Sequence, residues 1–361
     1  MLFHFLTSLV DQYSFLNVFK YLTFRTGLSV MTSLLIVFII GAPLIKIFSE
    51  KMITGPIRQD GPIDHIVKKS GTPTMGGVII LIGIITGTLL WADLKNIYVW
   101  ILLFVSLGLG GLGFLDDILK IKFNNSSGLK SRYKFIGQLV IGSITLFILI
   151  KHSNHEFLFE LYLPFFKNII IQMGLFFIPF GLFVIIGASN AVNLTDGLDG
   201  LAIVPVMIAA GSLAVIAYVV GNINFSNYLQ LNYVPGVGEI TVLLGAIIGS
   251  GLGFLWFNAP PAMVFMGDTG SLSLGGVIGV TASASRHELV LIIIGGLFVL
   301  ETVSVIVQIL SFKLTGKRIF RMAPLHHHFE QKGWAEATIV IRFWIIAVIL
   351  ALVGLSSLKL R

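Results

Sequence analysis

Residues 97–117 read IYVWILLFVSLGLGGLGFLDD: no charge from Ile97 to Leu115, then two carboxylates side by side at Asp116 and Asp117. A helix rising ~1.5 Å per residue crosses a ~30 Å hydrocarbon layer in about 20 residues, so the run reads as a transmembrane span. Anchoring a helix in lipid gives no reason for two adjacent acids at its mouth. The pair points to chemistry at a membrane surface.

Runs of the same kind recur along the chain. Of its 361 residues 56% are hydrophobic and 11% charged, with a mean hydropathy of +0.95, beyond what a soluble domain with a polar shell carries. Ten spans are predicted, at Thr26–Ile45, Met75–Trp91, Ile97–Leu115, Phe135–Ile150, Ile169–Ala188, Leu201–Val220, Ile240–Phe257, Ser271–Ala284, Leu289–Leu310 and Thr338–Leu355. Long even runs favour helices over the alternating ~10-residue strands of a membrane barrel. The expected fold is all-α: a polytopic integral membrane protein of about ten transmembrane helices. It forms a single transmembrane domain over residues 1–361, without a soluble domain or an internal repeat.

An even number of spans puts both termini on one side, and the basic residues choose the side. One face collects Lys46, Lys51, Arg58, Lys68, Lys69, Lys120, Lys122, Lys130, Arg132, Lys134, Lys313, Lys317, Arg318, Arg321, Lys332 and Arg342. The other, with the termini, has Lys20, Arg25, Lys95, Lys151, Lys167, Arg286, Lys359 and Arg361. The richer face is read as cytoplasmic and the termini as periplasmic. Residues Met1 to Arg25 lack a basic start and a cleavage site, and are expected along the outer interface.

On this reading all the acidic clusters face the cytoplasm: Asp116 and Asp117, then Asn193-Leu-Thr-Asp196-Gly-Leu-Asp199, then Phe265-Met-Gly-Asp268. Any one of them taken alone is as well explained by helix capping or solvation. Three together suggest a metal and phosphates. In Asn193, Asp196 and Asp199 the spacing of three would share a face in a helical turn, whereas the Asp-Gly steps favour a turn. The stretch Asn258-Ala-Pro-Pro bends the chain back and leaves Phe265 near Asp268, where its ring can stack on a base or anchor the interface.

Gly71-Thr-Pro-Thr-Met-Gly-Gly77, after Lys68 and Lys69, can cradle a phosphate at the start of a helix, or serve as a hinge. It lacks the order of a P-loop. His326, His327 and His328 are consecutive and cannot all point one way, so a three-His zinc site from this run is not expected. Beside Arg321 they suit phosphates or sugar hydroxyls. Glu301 and Gln308 fall inside the ninth run on one face, which hints either at an ion path or at an interhelical hydrogen bond.

The absence of cysteine excludes disulfides, thiolate metal sites and Cys nucleophiles. The net charge of +7 needs no nucleic acid, since basic loops at an anionic inner leaflet account for it. The 39 glycines suit close helix packing in lipid and leave a homodimer open.

Leu115-Asp116-Asp117, Asn190-Ala-Val-Asn193-Leu-Thr-Asp196-Gly-Leu-Asp199-Gly200 and Phe265-Met-Gly-Asp268 resemble the motifs of the polyprenyl-phosphate N-acetylhexosamine-1-phosphate transferases. Lys69-Ser-Gly-Thr-Pro-Thr-Met-Gly-Gly77 and Met322-Ala-Pro-Leu-His-His-His-Phe-Glu330 narrow the resemblance to the bacterial phospho-N-acetylmuramoyl-pentapeptide transferases, over essentially the whole chain. The resemblance implies a Mg²⁺-dependent enzyme of the bacterial inner membrane. It would move phospho-MurNAc-pentapeptide from UDP-MurNAc-pentapeptide to undecaprenyl phosphate, releasing UMP and forming lipid I, the first membrane step of peptidoglycan synthesis.

The same resemblance implies Asp116, Asp117 and Asp268 as catalytic residues, with Asp268 and Asp117 as metal ligands. It places Lys69, Thr74, Asn190, Asn193, Asp196, Asp199, Asn258, Phe265, His326, His327 and His328 in substrate binding, with Phe265 against the uracil. Direct attack by the lipid phosphate and a phospho-aspartyl enzyme both remain open. The rival readings are a transferase of N-acetylglucosamine-1-phosphate to the same lipid, a polyprenyl-lipid or ion transporter, and a non-catalytic scaffold. A transporter would carry its key polar groups near the bilayer midplane rather than at one face.

Overall fold

The structure, a computed structural model, describes residues 1–53, 71–123, 128–152, 159–166 and 169–359. Lys69, an expected site residue, lies outside them. In chain order the helices are α1 Leu2–Ser8, α2 Leu22–Glu50, α3 Gly77–Trp91, α4 Ile97–Phe123, α5 Ser131–His152, α6 Phe177–Thr195, α7 Ile203–Val220 and α8 Ile223–Leu229. There follow α9 Ile240–Asn258, α10 Gly267–Ser285, α11 Glu288–Ile294, α12 Gly296–Thr315, α13 Leu325–Glu330 and α14 Glu336–Ser356. Between α5 and α6 a small antiparallel pair joins β1 Glu160–Tyr162 to β2 Ile170–Gln172.

The protein is a multi-pass, all-α membrane protein. Among the described residues eight helices are long and apolar enough to cross a bilayer: α2, α4, α5, α6, α7, α9, α12 and α14. Two other predicted runs fall on helices of a different kind. Helix α3 is apolar but has only 15 residues. Helix α10 is rich in Ser, Thr and Gly, and every residue from Thr269 to Ser285 is buried. A helix surrounded by protein never meets lipid, so its sequence can be small and polar where an outer helix must be apolar.

Helix α10 packs mainly on α4 and α6, while α9 packs on α2, α3 and α7. The glycines at the contacts let backbones meet. A Cβ at Gly77 would collide with the backbone of Gly270, and one at Gly113 with the carbonyl of Asp268. Around this centre α2, α5, α6, α12 and α14 turn large apolar side chains outward, among them Ile39, Phe147, Phe183, Ile306 and Leu352. Two buried clusters fill the interior, the larger running from Val37 of α2 to Phe298 of α12 and Leu358, and the smaller, around Leu201, Ile339 and Phe343, joining α14 to α7.

Several predicted boundaries are corrected. The run Leu289–Leu310 is two helices, α11 and α12, which meet at Gly295. The run Ile169–Ala188 begins in β2, and Gly174, at φ +53°, separates that strand from α6. Helix α4 continues eight residues past Leu115 to Phe123, so Asp116 and Asp117 lie inside a helix rather than beyond its end. Asp268 likewise lies in the first turn of α10.

The α10 axis orients the molecule. At one end is Asp268; at the other, Arg286 and His287 border a small cavity with Tyr162, Ser357 and Leu358. The ammonium group of Met1 donates to the Leu89 carbonyl near the end of α3. Met1 and Leu358 therefore both lie at the end of the bundle away from Asp268.

Candidate active site

Three carboxylates meet where α4 crosses the start of α10. Asp116, Asp117 and Asp268 each offer an oxygen within 4.8 Å of the others. Asp116 and Asp117 are 2% and 3% exposed. Like charges at this separation in a dry setting demand compensation, and two lysines provide it. Lys120 Nζ lies 2.6 Å from Asp116 and 3.1 Å from Asp268, and Lys134 Nζ lies 2.5 Å from Asp268 Oδ2.

Each acid is fixed differently. The backbone N–H of Asp268 (3.1 Å), the N–H of Thr269 (3.0 Å) and the hydroxyl of Thr269 (2.8 Å) all donate to the Asp117 carboxylate. Asp117 thus caps α10 from the side of α4, satisfying donors that a helix start leaves open. Asp116 Oδ1 accepts the N–H of Leu129 at 2.8 Å. Asp268 Oδ1 accepts from Asn193 Nδ2 at 2.9 Å, and the same amide donates to Ser271 Oγ at 2.8 Å. Gly267, at φ +72°, makes the turn that brings Asp268 into this position.

The remaining expected residues separate into two groups. Asn193 joins the carboxylates, as described. Asp196 caps the end of α6 at Thr195, so the Asn193–Asp199 segment leaves the helix after its first member. Asp199 does not turn to Asp268: its Oδ2 accepts the N–H of Ala262, and its own N–H donates to Glu336. Asn258 accepts from the N–H of Gly200 and donates to the carbonyl of Val264. Asp199 and Asn258 thereby clamp the 258–265 loop onto residues 199–200. Phe265 and Thr74 meet through the strand-like segment 73–76, where Phe265 N–H donates to Pro73 and its carbonyl accepts from Gly76. The Thr74 side chain is 9% exposed and stands beside Gly267. Asn190 exchanges amide hydrogen bonds with Gln138 across α5 and α6, an interhelical contact.

The three histidines take three directions, as their spacing requires. His326 is fully buried; its Nδ1 lies 3.2 Å from Glu301, and its Nε2 edge faces Gly197 between Asp196 and Asp199. His327 Nδ1 lies 2.6 Å from Glu330. His328 Nδ1 accepts the N–H of Arg321, and burial together with Lys332 and Arg321 lowers the pKa of its imidazole. That keeps it neutral and able to accept. Glu301 also accepts from the N–H groups of Leu325 (2.6 Å) and His326 (3.2 Å). Gln308 accepts from Ile319 and Phe320 and donates back to Phe320. The two polar residues of α12 are anchors that hold the histidine segment against the bundle.

Sequence reading missed the roles of Lys120, Lys134 and Thr269. Lys120 follows Asp116 by four residues, the spacing at which opposite charges on a helix meet, and could have been found. Lys134 sits in the first turn of α5 and reaches Asp268 only through the fold.

Residues 99–286, which contain all three carboxylates, both lysines and Asn193, match the family described as Glycosyl transferase family 4. The class is that of the membrane-embedded glycosyl transferases. Residues 69–81 match the phospho-N-acetylmuramoyl-pentapeptide-transferase signature 1. A phospho-N-acetylmuramoyl-pentapeptide-transferase of Pelagibacter ubique (strain HTCC1062) is 62% identical over 361 residues, covering 100% of both chains. That of Maricaulis maris (strain MCS10) is 57% identical over 368 residues, again covering 100% of both. The chain belongs to the phospho-N-acetylmuramoyl-pentapeptide-transferase family.

Proposed function

We propose that this protein transfers phospho-N-acetylmuramoyl-pentapeptide from UDP-MurNAc-pentapeptide to undecaprenyl phosphate, giving lipid I and UMP, at the cytoplasmic face of the bacterial inner membrane. The observation that carries this reading is the full-length likeness to transferases of that name, joined to a carboxylate and ammonium cluster at one end of the bundle. A soluble nucleotide and a membrane-bound lipid phosphate can meet only where the spans reach the cytoplasm.

Three carboxylates within 4.8 Å form a hard oxygen donor set, which suits Mg²⁺ and not a thiophilic metal. Asp268, with Asp117 or Asp116 beside it, would hold the ion. Bound there, Mg²⁺ would neutralise charge on the diphosphate oxygens. Asp117 also orients Asp268 by capping α10. Lys120 and Lys134 release part of their hold on the carboxylates to phosphate oxygens, which lowers the repulsion between an anionic acceptor and an anionic donor.

The lipid phosphate oxygen attacks the phosphorus next to the sugar, and the bond from that phosphorus to the bridging oxygen breaks, so that UMP leaves with that oxygen. A phosphate monoester has a second pKa of about 6 and is largely dianionic at neutral pH, so no strong base is needed, and Asp116 acts by holding Lys120, whose ammonium group meets the phosphate. Residues 197–200 and 258–265, clamped by Asp199 and Asn258, carry Phe265 toward the uridine. His326 orients the sugar side.

UMP release by the purified protein tests the reading. It is expected with UDP-MurNAc-pentapeptide plus undecaprenyl phosphate, and not with UDP-N-acetylglucosamine. Turnover of the acetylglucosamine substrate alone would move the protein to the sister activity. Direct attack would be disproved by label retained on acid-quenched protein after incubation with radiolabelled nucleotide and no lipid.

A further inference from the structure

A second polar cavity, of about 780 Å³, lies between α12 and the segment that leads into the histidines. Its floor is one face of α12, with Val305, Ile309 and Phe312, and its rim carries Lys313, Arg318 and Arg321. No acidic residue lines it among the described residues. None of these side chains takes part in the proposed phosphoryl transfer. Arg321 is partly committed, since its Nη1 donates to the Gln331 carbonyl. Lys313 and Arg318 are exposed and stand on either side of the Gly316 turn.

We propose that this cavity is the subsite for the peptide arm of the nucleotide substrate, with Lys313 and Arg318 binding its C-terminal carboxylate. The inference rests on the muramoyl-pentapeptide reading of the main site. A cleft with cations and no acid has no use for a metal and takes an oxyanion directly, a guanidinium doing so with two parallel hydrogen bonds. A pentapeptide attached through its N-terminus to a sugar keeps at least its C-terminal carboxylate. Fully extended, five residues reach roughly 17 Å from the sugar.

The chain itself connects the two places. Met322 and Ala323 line the cavity, and His326, three residues on, lies against Gly197 beside the nucleotide loops. A substrate whose sugar lies by His326 can therefore lay its peptide along Ala323 toward the cations, over the apolar floor of α12. Such a subsite also supplies what the carboxylate cluster cannot, namely selection of the peptide-bearing sugar over a bare one.

Steady-state UMP release with the full-length enzyme tests this, using UDP-MurNAc-pentapeptide and the same substrate with its C-terminus amidated. The Lys313→Gln and Arg318→Gln double variant should raise KM for the native substrate about tenfold with kcat little changed. The unmodified enzyme should show a similar rise on amidation, and the double variant should not distinguish the two substrates. An unchanged KM in the variant, or indifference of the unmodified enzyme to amidation, would overturn the subsite while leaving the main reaction standing. A penalty that falls instead on KM for undecaprenyl phosphate would make the cavity a lipid-headgroup site. No turnover of either peptide substrate by the unmodified enzyme would defeat the functional reading and this inference with it.

Discussion

Two buried groups of charge sit at opposite ends of the bundle, and they are built on different plans. At the far end Arg25 pairs with Glu239 through its two terminal nitrogens, Nη1 to Oε1 and Nη2 to Oε2, the second at 3.0 Å. Arg25 also donates to the Trp91 carbonyl, and Glu239 accepts from the N–H of Asp93. One cation meets one anion, and the pair ties α2 to the end of α3 and the start of α9. At the near end three carboxylates face two ammonium groups, leaving negative charge in excess when all are ionised. A balanced pair closes a structure. An unbalanced cluster has room for a divalent cation and for substrate oxygens.

The contrast is testable by substitution, in order of effect on turnover. Asp268→Asn removes the charge most engaged by both lysines and should lower kcat by about 10³-fold or more while the protein stays folded, as judged by its melting in detergent. Chelation of divalent cations should produce a loss of the same order, reversed by Mg²⁺. Glu301→Gln keeps the shape but weakens charge-assisted bonds to Leu325 and His326, worth about 2 kcal/mol, so kcat/KM should fall roughly 30-fold. Gln308→Ala frees only the 319–320 turn and should cost a few-fold.

At the other pole, Arg25→Met should leave turnover per folded molecule nearly intact. It strands Glu239 in the interior and should destabilise the protein by about 3–5 kcal/mol, whereas Arg25→Met with Glu239→Leu should recover most of that. A large fall in kcat at constant stability for Arg25→Met would erase the distinction between the two groups.

The helices were legible because lipid imposes a simple demand on length and polarity, which runs such as Ile97–Leu115 meet. The departures have physical causes. Helix α10 is sheltered by its neighbours and so need not be apolar, and the break at Gly295 falls at a glycine pair too brief to interrupt an otherwise apolar run. The acidic clusters were legible as residues, because three groups of carboxylates beside apolar runs fall on one face of the predicted topology. Their convergence was not, since Asp117 reaches the first turn of α10 only through the glycine-mediated approach of Gly113 to Asp268. Asn258 and Asp199, expected in substrate binding, hold the 258–265 loop against residues 199–200, contacts that no spacing in the sequence announces. Glu301 looked like a midspan charge and is a carboxylate holding the backbone of the histidine segment.

The surplus of carboxylate over ammonium at the start of α10 suits the cluster to hold a divalent cation. Electron paramagnetic resonance of Mn²⁺ added to the purified protein measures this without any turnover. One bound ion per chain is expected, tightened by UDP-MurNAc-pentapeptide and lost in Asp268→Asn. Equal binding by the unmodified protein and Asp268→Asn, with nucleotide present, would contradict it.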